Sequence, residues 1–250
     1  MRKDGAASPL QVIRAKTAQV LIEKARERIS RNGGAWYNDP RDLWTYSPAS
    51  RTFDYKGSAR TNLTDFWATK SAAHPTDGKL YVLLGDGNGY LKCRTIDVAT
   101  GQTVIRPAVH NDQVAFLVAL AFEPTGRYLY ALTQQFYTSG QIRLIRYDTL
   151  LDQFYVMPVN GGSAPNFLYD ESFNIVYSPL TRKVYALANN SYPMFVYDVD
   201  TGVWSSVALP ATMSYYLQTS GRLVFDSARK CMLLVYAGQY TGLRFFAYKE

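Results

Sequence analysis

The chain has 250 residues, 47% of them apolar, and 27 Lys and Arg against 20 Asp and Glu give it a formal net charge of +7. Its apolar stretches are too short to span a bilayer, and its first residues lack the apolar segment of a signal peptide. These features predict synthesis in the cytoplasm, no membrane partner and no secretion by that route. Aromatic residues make up 14% of the chain, a content that favours strands.

The N-terminal segment carries most of the charge and predicts a helix. Residues 1–60 hold 12 basic and 6 acidic side chains, whereas residues 61–250 hold 15 and 14. Ser8 and Pro9 begin a run of helical periodicity, and Asn32, Gly33 and Gly34 end it. We therefore expect a basic arm over residues 1–34 with an amphipathic helix over about residues 9–31. A connector over residues 35–42 and a repeat domain over residues 43–250 follow.

The predicted helix presents basic side chains that would suit a docking role. An acidic protein surface and the phosphates of a nucleic acid are both open as partners, and so is a solvated helix face. No DNA- or RNA-reading motif accompanies the helix. The candidate docking residues are Arg14, Lys16, Lys24, Arg28 and Arg31.

A repeat of about 50 residues organises the rest of the chain. Segments that pair an aromatic or apolar residue with a turn recur at steps of 50, 51, 50 and 51 residues, starting at Tyr46, Ile96, Tyr147, Tyr197 and Tyr248. Periods of this size mark propeller blades or other arrays. Asp97, Asp148 and Asp198 occupy equivalent places in the repeat. Aspartate at the start of a turn caps its own backbone, so we assign these carboxylates to turns and not to catalysis.

Two segments carry a resemblance to known repeats. Pro124–Tyr130 (PTGRYLY) and Tyr197–Trp204 (YDVDTGVW) resemble the blades of kelch-type and YVTN/lactonase-type β-propellers. The resemblance implies an all-β fold, a small propeller of about four blades with four antiparallel strands each. The N-terminal α-helix is additional to it.

The ends of the repeat domain predict how the ring closes. The domain opens on a hairpin of third and fourth strands, Leu43–Gly57, and ends on a third strand, Leu243–Tyr248. We expect Thr52–Gly57 to supply the missing outer strand of the last blade within the same chain, since closure hides strand edges. The alternative is that the hairpin pairs with a neighbouring subunit and builds an oligomer.

The sequence contains no recognised catalytic signature. It lacks a Gly-x-Ser-x-Gly elbow, and Gly85–Gly89 is expected to be a hairpin turn because no helix follows it. His74 and His110 are expected in solvent-facing loops, and Cys93 and Cys231 as buried free thiols. We therefore expect no enzyme activity, no metal and no cofactor.

An aromatic loop face is the candidate binding site. The loop between the second and third strands carries one tyrosine in each repeat, and a tryptophan is expected at the same face. Tyr suits both sugar stacking and protein interfaces, although packing between blades is the alternative role. The candidate recognition residues are Tyr90, Tyr137, Tyr192, Tyr240 and Trp67.

The leading functional hypothesis is a non-enzymatic structural or interaction protein. Its helix would anchor the propeller in an assembly with other proteins or with copies of itself. That architecture resembles tail and head-completion components of bacteriophages, which implies a place in a virion. A glycan- or peptide-binding module acting through the tyrosine face is the alternative. A lactonase-like enzyme with a metal in the central channel ranks last.

Overall fold

Seventeen β-strands account for most of the residues that the computed structural model describes, which are 42–47, 52–58, 66–86, 89–111, 114–135, 142–165, 174–187, 193–209, 222–238 and 242–249. The predicted helix and the docking residues Arg14 to Arg31 lie outside these ranges. The strands are β1 Asp42–Ser47, β2 Thr52–Ser58, β3 Phe66–Ala73, β4 Lys79–Asp86, β5 Tyr90–Asp97, β6 Thr103–Asn111, β7 Val114–Phe122, β8 Tyr128–Gln135, β9 Ile142–Asp148, β10 Gln153–Val156, β11 Asn174–Ser178, β12 Lys183–Leu187, β13 Met194–Asp198, β14 Val203–Val207, β15 Arg222–Asp226, β16 Cys231–Gly238 and β17 Gly242–Tyr248.

The strands form one hairpin and four antiparallel sheets in which chain order equals spatial order. β1 and β2 form the N-terminal hairpin; the first sheet is β3–β6, the second β7–β10, the third β11–β14 and the fourth β15–β17. The first strands of the sheets contact one another in series, β3 with β7, β7 with β11 and β11 with β15. The repeat of about 50 residues is therefore one sheet, as the sequence predicts.

The expected closure of the last sheet is not what the structure has. The fourth sheet contains three strands, and β2 pairs with β1 in a sheet of its own. Thr52–Gly57 was predicted to be the fourth strand of the last sheet within this chain. Among the described strands, none pairs with β17 on the side away from β16. The length of β2 and its position in the repeat match those of the missing strand, but they did not decide its pairing. A strand pairs only where the packing of the intervening sheets brings it.

Each central sheet is buried on both faces, because successive side chains of a strand point to opposite sides. In the second sheet Leu129 and Tyr147 pack towards the first sheet, in a cluster that includes Tyr81. Tyr130 and the alternate residues pack towards the third sheet. This explains why the strands of the central sheets are apolar almost throughout and do not alternate between apolar and polar residues.

The turns confirm the role predicted for the repeated aspartates. Oδ1 of Asp97 accepts hydrogen bonds from the backbone N–H groups of Ala99 and Thr100 at 3.0 and 2.8 Å. Asp148 and Asp198 make the same pair of bonds to the second and third residues after them. Asp226 does so in the turn between β15 and β16, outside the predicted set.

Two smaller predictions are confirmed in the described residues. Cys93 and Cys231 are buried free thiols. β4 and β5 pair antiparallel around Gly85–Gly89, which makes that segment the connection of a hairpin. No helix in the described ranges is long and apolar enough to cross a bilayer.

Candidate functional site

The structure places only part of the predicted recognition face. Tyr90 begins β5 opposite Asn111, and its side chain is half-buried. Trp67 lies in β3, next to Phe66, which pairs with the last residue of β4. The strand registers place Tyr90 and Trp67 at the same end of the first sheet. Tyr137, Tyr192 and Tyr240 lie outside the described residues, so the face as a whole stays a prediction.

Both histidines differ from the expectation of solvent-facing loop residues. The His74 side chain is only 9% exposed and stacks on Tyr81 with ring centroids 5.4 Å apart. Its Nε2 lies 2.9 Å from the carbonyl oxygen of Gly126, which belongs to the next sheet, and its Nδ1 accepts from the N–H of Asp77 at 3.0 Å. His110 lies within β6, half-buried. The turn sequence around His74 concealed the second sheet, which covers it only in the folded molecule.

A partly buried polar cluster joins β6 of the first sheet to the turn between β9 and β10 of the second. Arg106 of β6 donates from Nε to Tyr147 Oη at 3.1 Å and to Asp152 Oδ1 at 3.3 Å, and from Nη2 to the carbonyl of Thr149 at 3.0 Å. The Tyr147 hydroxyl also donates to Asp152. The N–H of Ala108 donates to the other carboxylate oxygen of Asp152 at 3.3 Å. Asp152 therefore covers part of the outer edge of β6.

The same cluster is unsuited to nucleophilic chemistry. Cys93 lies in its core with no exposed surface. Burial raises the pKa of its thiol to about 12, against the smaller opposing effects of the Tyr147 hydrogen bond and the Arg106 charge. A thiol reacts as the thiolate, and this one is protonated and inaccessible at neutral pH. The cluster is therefore a structural junction between sheets.

The second and third sheets are joined by backbone contacts. After β10 the chain crosses to the third sheet, where the N–H of Asn160 donates to the carbonyl of Gly202 at 2.8 Å and the N–H of Trp204 to that of Gly161 at 2.9 Å. The Tyr197 hydroxyl donates to the carbonyl of Pro158 at 2.7 Å. Tyr147 and Tyr197 occupy equivalent repeat positions, so both period-marking tyrosines reach back to the preceding sheet.

One cation in this region has no hydrogen bond or ion pair in the described structure. Arg146 of β9 lies between two tyrosine rings, with Cζ 4.5 Å from the ring centroid of Tyr128 and 5.2 Å from that of Tyr155. Its Nε is buried and lacks a hydrogen-bond partner. Its neighbours are paired, Arg127 with Asp148 at 3.1 Å and Arg182 with Asp200 at 2.9 Å.

Sequence reasoning missed this arginine, although the repeat contains a signal for it. The strand registers place Thr95 and Val196 at the equivalent positions of the first and third sheets. The residues opposite them on the outer strand are Val104 and Ser205, where the second sheet has Tyr155. Comparing the repeats position by position would have singled out Arg146.

Within the described part of the chain, no three His, Cys, Asp or Glu side chains are placed together to hold a metal ion. The two carboxylates nearest the junctions, Asp148 and Asp152, are engaged by arginines.

Solved structures of similar architecture classify the fold. An auxiliary nutrient-binding protein from Bacteroides thetaiotaomicron matches 85% of this chain with a TM-score of 0.50 and 15% identity. The periplasmic gluconolactonase PpgL of Pseudomonas aeruginosa matches 86% with a TM-score of 0.53 and 14% identity. The β-propeller domain of Myceliophteria thermophila Cps50 (Swd1) matches 84% with a TM-score of 0.52 and 14% identity. The fold is a β-propeller.

Each of the four sheets is one blade of the propeller. The chain spans 56%, 65% and 64% of the length of the three matched chains, in the order given above. No protein-family model and no curated protein matches the sequence. The matched structures are a binding protein, an enzyme and a propeller domain, so the likeness establishes the architecture and leaves the activity open.

Proposed function

We propose that this protein is a non-enzymatic structural module, whose propeller joins a larger assembly by pairing the N-terminal hairpin of one copy with the last blade of another. The observation that carries the proposal is the number of strands in each sheet. Among the described strands, three sheets have four strands and the fourth has three, while β1 and β2 form a two-stranded sheet of their own.

The spare hairpin matches the missing strand in phase and in length. Tyr46 and Tyr248 occupy the same position of the repeat, which makes β1 a third strand and β2 a fourth strand. β2 and β17 each contain 7 residues. In the complete blades the period-marking residue pairs with the seventh residue after it, Ile96 with Thr103, Tyr147 with Phe154 and Tyr197 with Trp204. The same register places Phe53 opposite Tyr248.

A second copy is favoured over this chain's own hairpin by the path of the blades. The blades pack in series from β3 to β15, and β2 stays paired with β1 alone. The chain also matches three solved structures but spans only 56–65% of their lengths. An uncovered strand edge recruits another strand, and the matching strand in this protein is β2.

Charged and polar groups at the blade junctions make their hydrogen bonds within the molecule. Arg106, Asp152 and Tyr147 bond one another and Cys93 is buried, which supports a structural role for this cluster. The suggestion of a virion component remains a prediction from architecture, and none of the three matched structures belongs to that class. The tyrosine-face binding hypothesis also remains a prediction.

Disulfide trapping of the full-length chain tests the pairing. The register predicts Thr52 opposite Lys249, and both side chains are exposed. Thr52→Cys and Lys249→Cys chains with different tags are mixed under mild oxidation, because antiparallel partners lie within disulfide reach. We expect a heterodimer joined by this disulfide, and light scattering of the wild-type chain should give a mass above 28.2 kDa.

The control replaces Lys249→Cys by Ser227→Cys, which is exposed in the turn between β15 and β16. This pair should not cross-link. A chain that carries both Thr52→Cys and Lys249→Cys distinguishes the two modes of closure. A disulfide within a monomer of that chain, with no cross-link between chains, would contradict the proposal and restore closure within one chain.

A further inference from the structure

We propose that Arg146, held between Tyr128 and Tyr155, binds a carboxylate. The proposal concerns a site between the second and third blades and does not depend on the assembly proposed above. It starts from the orientation of the guanidinium group. In the register of the second blade Arg146 lies opposite Tyr155, so both side chains project from the same face of the sheet.

The two rings fix the guanidinium group and leave its hydrogen-bonding capacity unused. The centroid distances of 4.5 and 5.2 Å are within the range of cation–π contacts. Such contacts stabilise the charge, but they accept none of the five N–H donors of an arginine. Nε is buried without a partner. Because Nε is buried, a bound acceptor would bond to the two Nη groups, which the ring contacts leave without an acceptor.

The local charges limit the ligand to a single negative charge. Arg127 is compensated by Asp148 and Arg182 by Asp200. Arg146 is the guanidinium at this junction that no carboxylate approaches within the described residues. A carboxylate matches its single charge and its planar pair of donors, whereas a phosphate dianion would leave one charge uncompensated.

The other blades show that the repeat itself does not require an arginine here. The first blade has Thr95 and Val104 at the two cross-strand positions, and the third blade has Val196 and Ser205. Both of these blades form four complete strands with these small or apolar residues. A charged, long side chain flanked by two tyrosines therefore has no counterpart at these positions of the first and third blades. Such a combination of Arg and Tyr is typical of binding hot spots.

Two sources of the carboxylate are separated by the choice of probe. One probe is a fluorescent hexaglutamate peptide with blocked ends, followed by anisotropy. The other is succinate, followed by calorimetry and used as a competitor of the peptide. Binding of the peptide without competition by succinate indicates an acidic segment of a partner protein, and competition indicates a small organic acid. Either result supports a carboxylate site, provided that binding depends on Arg146.

The dependence on Arg146 decides the proposal. We expect Arg146→Gln to weaken binding at least tenfold, and Arg146→Lys to weaken it less, because lysine keeps the charge and loses the paired donors. The matched control is Arg182→Gln, which removes an exposed arginine already paired with Asp200 and should leave the affinity unchanged. Circular dichroism and the melting temperature of each variant verify that it is folded.

Four results would overturn the proposal. They are the absence of binding of both probes to the wild-type chain, unchanged affinity in Arg146→Gln, equal loss in Arg182→Gln, and tighter binding of inorganic phosphate than of succinate. If Arg146 merely packs its stem between the rings, Arg146→Met will alter the melting temperature while no probe binds to the wild-type chain.

Discussion

Single carboxylates hold the turns and the junctions of this propeller. Asp97, Asp148 and Asp198 act locally, since each accepts from N–H groups two and three residues further along the chain. Asp152 acts across a blade boundary and accepts from Arg106 and Ala108. It also occupies the left-handed region with φ of 55°, a conformation that Asp tolerates better than most residues.

Replacing Asp152 by Ala should destabilise the fold strongly. The change removes the acceptor of three donors, leaves Arg106 partly buried without its carboxylate, and puts Ala in a left-handed conformation. We expect the free energy of unfolding to fall by about 2–4 kcal/mol. Urea denaturation at pH 7 measures it.

The control is Asp200→Ala, which breaks an ion pair whose two side chains are 61% and 55% exposed. Exposed pairs contribute little, so we expect a loss of at most about 1 kcal/mol. Asp152→Asn, which tolerates the same backbone conformation, should lie between the two. Equal losses in Asp152→Ala and Asp200→Ala would show that the junction does not depend on this carboxylate.

At the scale of elements, the connection after β10 determines how closely the second and third blades approach. Gly161 lies beside Val203 in an isolated parallel bridge, and Gly162 has φ of 73°. A Cβ on Gly162 would lie 1.8 Å from the carbonyl oxygen of Trp204, which is backbone and cannot move aside cheaply. The crossing therefore requires glycine for both its conformation and its space.

Gly162→Ala should be far more destabilising than Gly78→Ala. Gly78 has a similar φ of 70°, but a Cβ there would meet no atom within 4 Å. We expect a loss of about 1–2 kcal/mol for Gly78→Ala from backbone strain alone. Gly162→Ala should exceed it by about 2 kcal/mol or more, since the blades must separate. Thermal unfolding measures both, and equal melting temperatures would contradict the tight crossing.

At the scale of the whole molecule, the blades are joined in chain order and depend on acidic turns. Hydrogen bonds from backbone N–H groups hold the pKa of three turn carboxyls below its usual value. The donors are Thr100 for Asp97, Thr201 for Asp198 and Arg229 for Asp226. A group with a lowered pKa in the folded state binds fewer protons there than in the unfolded chain. Its stabilising contribution is present above the unfolded pKa and is lost as the pH falls through the folded pKa.

The propeller should therefore lose stability as the pH falls below about 4, the ordinary pKa of aspartate. Urea denaturation at intervals from pH 7 to pH 2 measures the loss. Asp97→Asn, Asp198→Asn and Asp226→Asn combined in one chain keep an oxygen acceptor in each turn but remove the titration. We expect the triple variant to show a shallower decline below pH 4. An unchanged slope would place the acid sensitivity in other carboxyl groups.

The sequence alone determined the features that depend on neighbours a few residues apart. The repeat length, the turns and the aspartate caps follow from local spacing and turn chemistry. These features recur in each repeat, so four copies of the pattern support one another.

Only the tertiary structure decided what lies across a blade boundary. His74 is covered by the second blade, Asp152 binds an arginine of the first, and β2 does not pair with β17. Arg146 and Tyr128 are 18 residues apart in the chain but stacked in space. The physical reason is that local spacing sets the shape of one blade. The orientation of adjacent blades arises instead from packing between residues some 40–50 positions apart in the chain. Arg106 and Asp152, for example, are separated by 46 positions.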